Sequence, residues 1–209
     1  MRTNMIVWSV WILLLATIFF APGPSDKDLS LVLDATLFRM NSVDPILIAM
    51  FNLMGVWPLA YGSVMIPYGK GKRPTPYPFF IASFFTGAFA LLPYMALLKN
   101  GGGTTLKLKP IEKALAGRTL SIILGLFGIA LTAFGVIFGD PNEFLDLWSG
   151  SMFVSVMAAD FLVLTLMFPI MVRLDSGMRG CDGKGIVMLS YIPLIGPMIY
   201  LIVRPPLKE

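Results

Sequence analysis

The chain has 209 residues, of which 56% are hydrophobic and 13% charged, with a mean hydropathy of +0.80, whereas a soluble domain carries about a quarter charged residues. So much apolar surface cannot be hidden in a soluble core of this size, and the composition reads as a membrane protein. There is no His and a single Cys, Cys181; this excludes histidine-ligated haem or chlorophyll, an imidazole zinc site, a serine triad with a His base, an internal disulfide and a CxxC pair. The formal net charge of +4 does not point to nucleic acid, because the basic residues lie in short loops between apolar runs, where they act as topology signals.

Six runs approach the roughly 20 apolar residues needed to cross about 30 Å of hydrocarbon. The first, 5–21, is short and uncharged and closes at Pro22-Gly23-Pro24; it reads as a retained span, with a cleaved signal peptide as the alternative. Segment 27–44 is too polar to span, and Leu29, Val32, Leu33, Leu37 and Met40 fall near one helical face. It is expected to lie along the membrane interface, a solvent-exposed loop helix being the competing form. The second span is 45–66, opened by Pro45, and the third is 78–98, the most aromatic. A long basic loop with Gly101-Gly102-Gly103 follows, then the fourth span, 120–138, and an acidic loop with Asp140, Glu143 and Asp146. The fifth span, 152–172, carries Asp160 at mid-length, and the sixth, 185–203, is interrupted by Pro193 and Pro197. The expected fold is therefore an all-α polytopic transmembrane helix bundle, one membrane domain over 1–209 with six spans, or five if the first is cleaved.

Counting Lys and Arg by side for six spans gives 10 against 6, the smaller number on the side of the two termini. The positive-inside rule then places both termini away from the cytoplasm or stroma. No internal repeat and no inverted pair of halves is evident.

Asp160 is the first functional candidate, since a carboxylate near mid-bilayer costs about 2.5–3.5 kcal/mol and must be protonated, paired or wetted. Arg173 stands about 20 Å further along the same helix, too far to pair. A partner must come from another span, where Asn52, Tyr61, Ser83, Thr86 and Tyr94 are the polar groups at depth. Asp160 serves either as structural glue between helices or in proton or cation handling, or as an oxygen ligand to the magnesium of a chlorophyll. Asn52 either bridges helices or coordinates a ligand. Gly135 and Gly139 form one GxxxG, a contact-face signal. Pro58, Pro93, Pro169, Pro193 and Pro197 shape packed helices or line a cavity. The glycine-rich stretches 69–73 and 101–105 do not fit GxxxxGK[ST] and read as interhelical turns. No metal-ligand cluster, carboxylate pair at depth or nucleophile with a base is visible, so no enzyme is expected.

The blocks FNLMGVWPLAY (51–61), PFFIASFFTGAFALLPYMAL (78–97), MAADFLVLTLMFPIMVRLDSGMRG (157–180) and IPLIGPMIYLIVRPPL (192–207) resemble an uncharacterised multi-spanning membrane protein family of cyanobacteria and plastids. The resemblance covers most of the chain from the second span onward and rests on the order of the blocks. Where the cyanobacterial pattern tends to be doubly acidic, this chain has Val172-Arg173-Leu174-Asp175. The resemblance brings no catalytic residues. It implies a thylakoid location and an accessory or assembly role beside a photosystem, photosystem I first. The partners it implies, beside the lipid bilayer that the composition implies, are photosystem subunits and pigments, with chlorophyll or carotenoid as the cofactor class; Asn52 and Asp160, singled out by their depth, are the candidate ligands to pigment or members of a polar network. The 26 aromatic residues and 14 Met supply a polarizable surface suited to helices or pigment tails. A small transporter or channel using Asp160 with Asn52 is the alternative.

Overall fold

A computed structural model describes residues 2–98, 107–180 and 184–206, and those residues form helices and connections with no strand. Among the described residues three helices are long and apolar enough to cross a membrane: α3 (Pro45–Gly69), α7 (Arg118–Phe138) and α9 (Met152–Arg179). At 1.5 Å per residue each exceeds the roughly 30 Å hydrocarbon thickness, and the chain is an integral membrane protein. Their starts are set locally. Asp44 Oδ1 accepts from Ile46 N at 2.7 Å with Pro45 in the first turn, and Ser151 Oγ accepts from Val154 N at 3.2 Å. Helix α1 (Arg2–Phe20) packs beside them with Val7 and Leu14 buried, and Trp11 Nε1 donates to Phe89 O at 3.0 Å.

The third expected span does not run through. It is two helices, α4 (Pro76–Thr86) and α5 (Ala88–Leu97), divided at Gly87, whose φ of 53° and ψ of −126° favour glycine. In one continuous helix Phe79 and Tyr94 would stand about 22 Å apart, yet their ring centroids are 5.3 Å apart. The pair is a hairpin that enters and leaves by the same end of the bundle. The sixth expected span is likewise divided into α10 (Lys184–Leu189) and α11 (Ile195–Val203), with Pro193 and Leu194 (φ 65°) in the turn. The chain leaves α9 at Arg179 and is back beside it at Pro205, whose carbonyl accepts from Arg179 Nη1 at 2.5 Å. Hydropathy measures the length of an apolar run and is blind to its direction. Among the described residues the six apolar runs therefore become four long helices and two hairpins of short helices.

Two short helices, α2 (Lys27–Thr36) and α8 (Pro141–Gly150), close the opposite end. In the 27–44 segment only the first part, α2, is helical, and Leu29, Leu33, Leu37 and Met40 stay exposed to the surroundings. Helix α6 (Pro110–Ala116) packs at the hairpin end.

The order long helix, short helix, long helix, hairpin thus occurs twice in the same direction, as α1 to α5 and as α7 to α11. This corrects the expectation of no internal repeat. The register is constant through the second part of each half. Ser151 stands 107 positions after Asp44, both being N-caps, and Leu194 stands 107 positions after Gly87, both opening the returning hairpin leg with positive φ. At the same offset Tyr61 matches Phe168, and their rings meet edge to face at 5.1 Å. Contacts between the halves come in exchanged pairs. Trp57 packs on Phe168 at 5.4 Å while Tyr61 Oη donates to Leu164 O at 2.7 Å. Ser151 Oγ donates to Asp28 Oδ1 at 2.6 Å while Asp140 N donates to Asp44 Oδ2 at 2.7 Å. The halves share apolar pattern but few residue types, which hides the duplication in the sequence.

Glycines on α7 let two partners approach. A Cβ on Gly135 would lie 2.9 Å from Ala49 Cβ, and one on Gly139 would overlap Ile46, so the GxxxG packs on α3; Gly125 and Gly128 receive Ile202 and Met198 of α11. Charge is segregated between the ends. Lys70, Lys72, Arg73, Lys107, Lys109, Lys113, Arg118, Arg179 and Arg204 lie at or near the hairpin end, whereas Asp26, Asp28, Asp34, Asp44, Asp140, Glu143 and Asp146 lie at the other, with only Lys27 and Arg39 as described bases.

Candidate functional site

Where α9 of the second half meets the first half, a lateral cavity of about 860 Å³ opens between α1, α2, α3, the hairpin tip and α9. Asp160 sits in α9 about 12 Å from the helix start and is buried. Its Oδ1 accepts from Ala88 N at 2.7 Å. Ala88 is the first residue of α5, so the carboxylate caps a half-helix whose amide is freed by the break at Gly87 and whose dipole favours negative charge there. Gly87 permits the approach, since a Cβ at that position would overlap Asp160 Oδ2. The partner of Asp160 is thus a backbone amide, which no residue letter announces.

Asn52 also lines the cavity, so the two candidate ligands are brought to one place. Its Nδ2 donates to Ile48 O at 2.8 Å within α3 and to Ala35 O at 3.2 Å at the end of α2, so it bridges helices and uses both amide hydrogens. Ser83 and Thr86 line the cavity too, whereas Tyr61 lies at the contact between halves and Tyr94 packs over Gly69. Arg173 is remote from Asp160 and lies over the Tyr191 ring at 5.8 Å. The remaining lining is mainly aromatic and thioether: Phe51, Phe84, Phe85, Phe89, Phe153, Met54, Met152 and Met157, with Asp28 near the acidic end. Sequence reasoning missed Asp28 and the break in the helix at Gly87. The available signal was the pair of Gly- or Pro-interrupted apolar segments at matching places in two halves.

A second polar cluster was also missed. Asp175, Arg179 and Arg204 are fully buried near the hairpin end. Asp175 Oδ2 accepts from Arg204 Nη1 at 2.8 Å and from Tyr200 Oη at 2.9 Å. Arg179 Nε lies 2.8 Å from Asp175 Oδ1, a charge contact without the angle of a hydrogen bond. Arg204 reaches Ser121 and Ser63, and Arg179 reaches Ala116 O and Pro205 O. Two guanidiniums share one carboxylate, and protein oxygens take the remaining donors. The cluster ties α3, α7, α9 and α11 together.

At the foot of the first hairpin, Glu112 of α6 accepts from Lys70 Nζ at 2.5 Å, from Lys109 N at 2.6 Å and from the Tyr77 hydroxyl. Burial by itself raises the Glu112 carboxyl, but these donors and the Lys70 charge outweigh it and hold the group down to about 2.

Among the described residues no group of three His, Cys, Asp or Glu side chains could hold a metal ion. Comparison with protein-family models, with curated proteins and with solved structures finds no match.

Proposed function

We propose that the chain is a non-enzymatic membrane protein that holds an amphipathic molecule of lipid or pigment size in the cavity between its halves. In this reading it works as an accessory subunit or assembly partner of a photosystem, photosystem I first, in a thylakoid membrane. The cavity carries the binding part: it is large enough for a ligand body, mostly apolar, and has a few polar groups gathered around Asp160. The photosystem setting rests on the resemblance of the four sequence blocks, which is an association. Chlorophyll or a carotenoid is the occupant that setting suggests, and the oxygens of Asp160 and Asn52 suit a hard Mg²⁺. The test is mild-detergent extraction of the native photosynthetic membrane, native-gel separation and mass spectrometry of every chlorophyll-bearing band. Stoichiometric co-migration with one photosystem is expected; migration near the chain's own mass, away from all pigment bands, removes the subunit role.

One observation favours a second reading, a small transporter or channel. Asp160 lies at a discontinuous helix between two structural repeats, where transporters commonly place their sites. On this reading Asp160→Asn abolishes proton flux in liposomes while assembly persists, and unchanged flux removes it.

A further inference from the structure

The lining of the cavity is one-sided in charge and in hydrogen-bonding sense. Asp160 and Asp28 both line it, and no Lys or Arg does. Both amide hydrogens of Asn52 are committed to Ile48 O and Ala35 O, so what that side chain has left to offer is its carbonyl oxygen. The polar groups are therefore mainly acceptors. Aromatic rings surround them, and ring faces attract cations.

The matching position of the other half carries no carboxylate. At the offset of 107 that matches Asp44 with Ser151 and Gly87 with Leu194, the residue matching Asp160 is Leu53 and the residue matching Asn52 is Ala159. One half places Leu at this depth of its long helix; the other places an acid, at the insertion cost such a group carries. The acid occurs on the side of the molecule where the large cavity lies.

We infer that the cavity is a site for a lipophilic cation or amphipathic amine, its positive head beside Asp160 and its apolar body against Phe51, Phe85, Phe89 and Phe153. The inference rests on the cavity reading of the preceding subsection and puts a cationic amphiphile in place of the neutral pigment that the photosystem setting suggests. Asp28, near the acidic end, adds a second carboxylate to the same lining. A neutral carotenoid would leave the buried carboxylate without a partner beyond Ala88 N, and an anionic amphiphile would be repelled.

Tetraphenylphosphonium and tetraphenylborate serve as probes, being alike in size and shape and opposite in charge. Equilibrium dialysis against the detergent-purified full chain is expected to show saturable binding of the cation at about one per chain and none of the anion. Asp160→Asn, which keeps an oxygen for Ala88 N, should weaken cation binding by about tenfold or more. Gly55→Phe provides a second variant. Gly55 lines the cavity and a Cβ there meets nothing within 4 Å, so a side chain can leave the helix there without a clash at Cβ, and the ring is expected to occupy the cavity and block binding in a folded chain. Equal binding of both ions, unchanged affinity in Asp160→Asn, or absence of cation binding overturns the inference. If a neutral lipid or pigment is held and Gly55→Phe expels it while the cation does not bind, the charge assignment fails and the cavity reading survives. If Gly55→Phe alters retention of nothing, both fail.

Discussion

Tyr61 and Phe168, 107 positions apart, meet edge to face at 5.1 Å where the two halves of the chain face each other. Equivalent residues touch one another only near a two-fold axis, so this contact marks the pseudo-symmetry axis. Because both halves run in the same direction, both hairpins enter from one end.

That topology is testable by labelling. In a Cys181→Ser background, single cysteines at Gly71 and Lys107 should react with a membrane-impermeant maleimide from the same side, and cysteines at Asp34 and Asp146 from the other. By the positive-inside rule the basic residues gathered at the hairpin end predict that this end faces the cytoplasmic compartment, which reverses the side that the six-span count assigned to the two termini. Reaction of positions 71 and 107 from opposite sides would restore a through-going third span.

Gly87 and Asp160 form a coupled pair. Gly87→Ala incurs about 1–3 kcal/mol from the backbone conformation alone, and its methyl also displaces the carboxylate. Thermal melts in detergent should show a clear loss for Gly87→Ala. Adding Asp160→Ala should recover only the steric part; full recovery would mean that the positive φ carries no cost.

The buried cluster behaves as a unit. Asp175→Asn leaves two buried guanidiniums without a counter-charge and should destabilise by about 3–5 kcal/mol. The triple change Asp175→Leu, Arg179→Met and Arg204→Leu should cost less than that single change, because it removes the charges together. Additive losses across these variants, read from the same melts, would contradict a shared network.

Glu112 sets an acid limit for the hairpin foot. Its folded-state value, about 2, lies below the ordinary 4.5, so the stabilisation is fully present above about 4.5 and is lost as pH falls toward about 2. Wild type should melt higher than Glu112→Gln at pH 7, and the gap should close between pH 4.5 and 2. A gap that persists at pH 2 would show that the ionised carboxylate is not the source.

The long helices were legible because α3, α7 and α9 pair apolar length with clear starts: Asp44-Pro45, Gly117-Arg118 and Ser151-Met152. The hairpins were not, since Gly87 and the Pro193-Leu194 turn lie inside runs as hydrophobic as any span. The repeat stayed hidden because matched positions such as Trp57 and Leu164, or Leu53 and Asp160, share burial but not residue type. Asp160 and Asn52 stood out as polar groups at depth and do share a site. What completes that site is the backbone amide of Ala88, exposed by a helix break visible only in three dimensions.

The central claim is that the cavity at the hairpin tip holds an amphipathic molecule, and ligand retention tests it most directly. The full chain and its Gly55→Phe variant would be purified side by side in mild detergent, and their organic extracts compared by chromatography and mass spectrometry. One amphiphile at about one per chain in the wild type, absent from an equally folded Gly55→Phe, is the expected result. Extracts matching bulk membrane lipid in both proteins would contradict it.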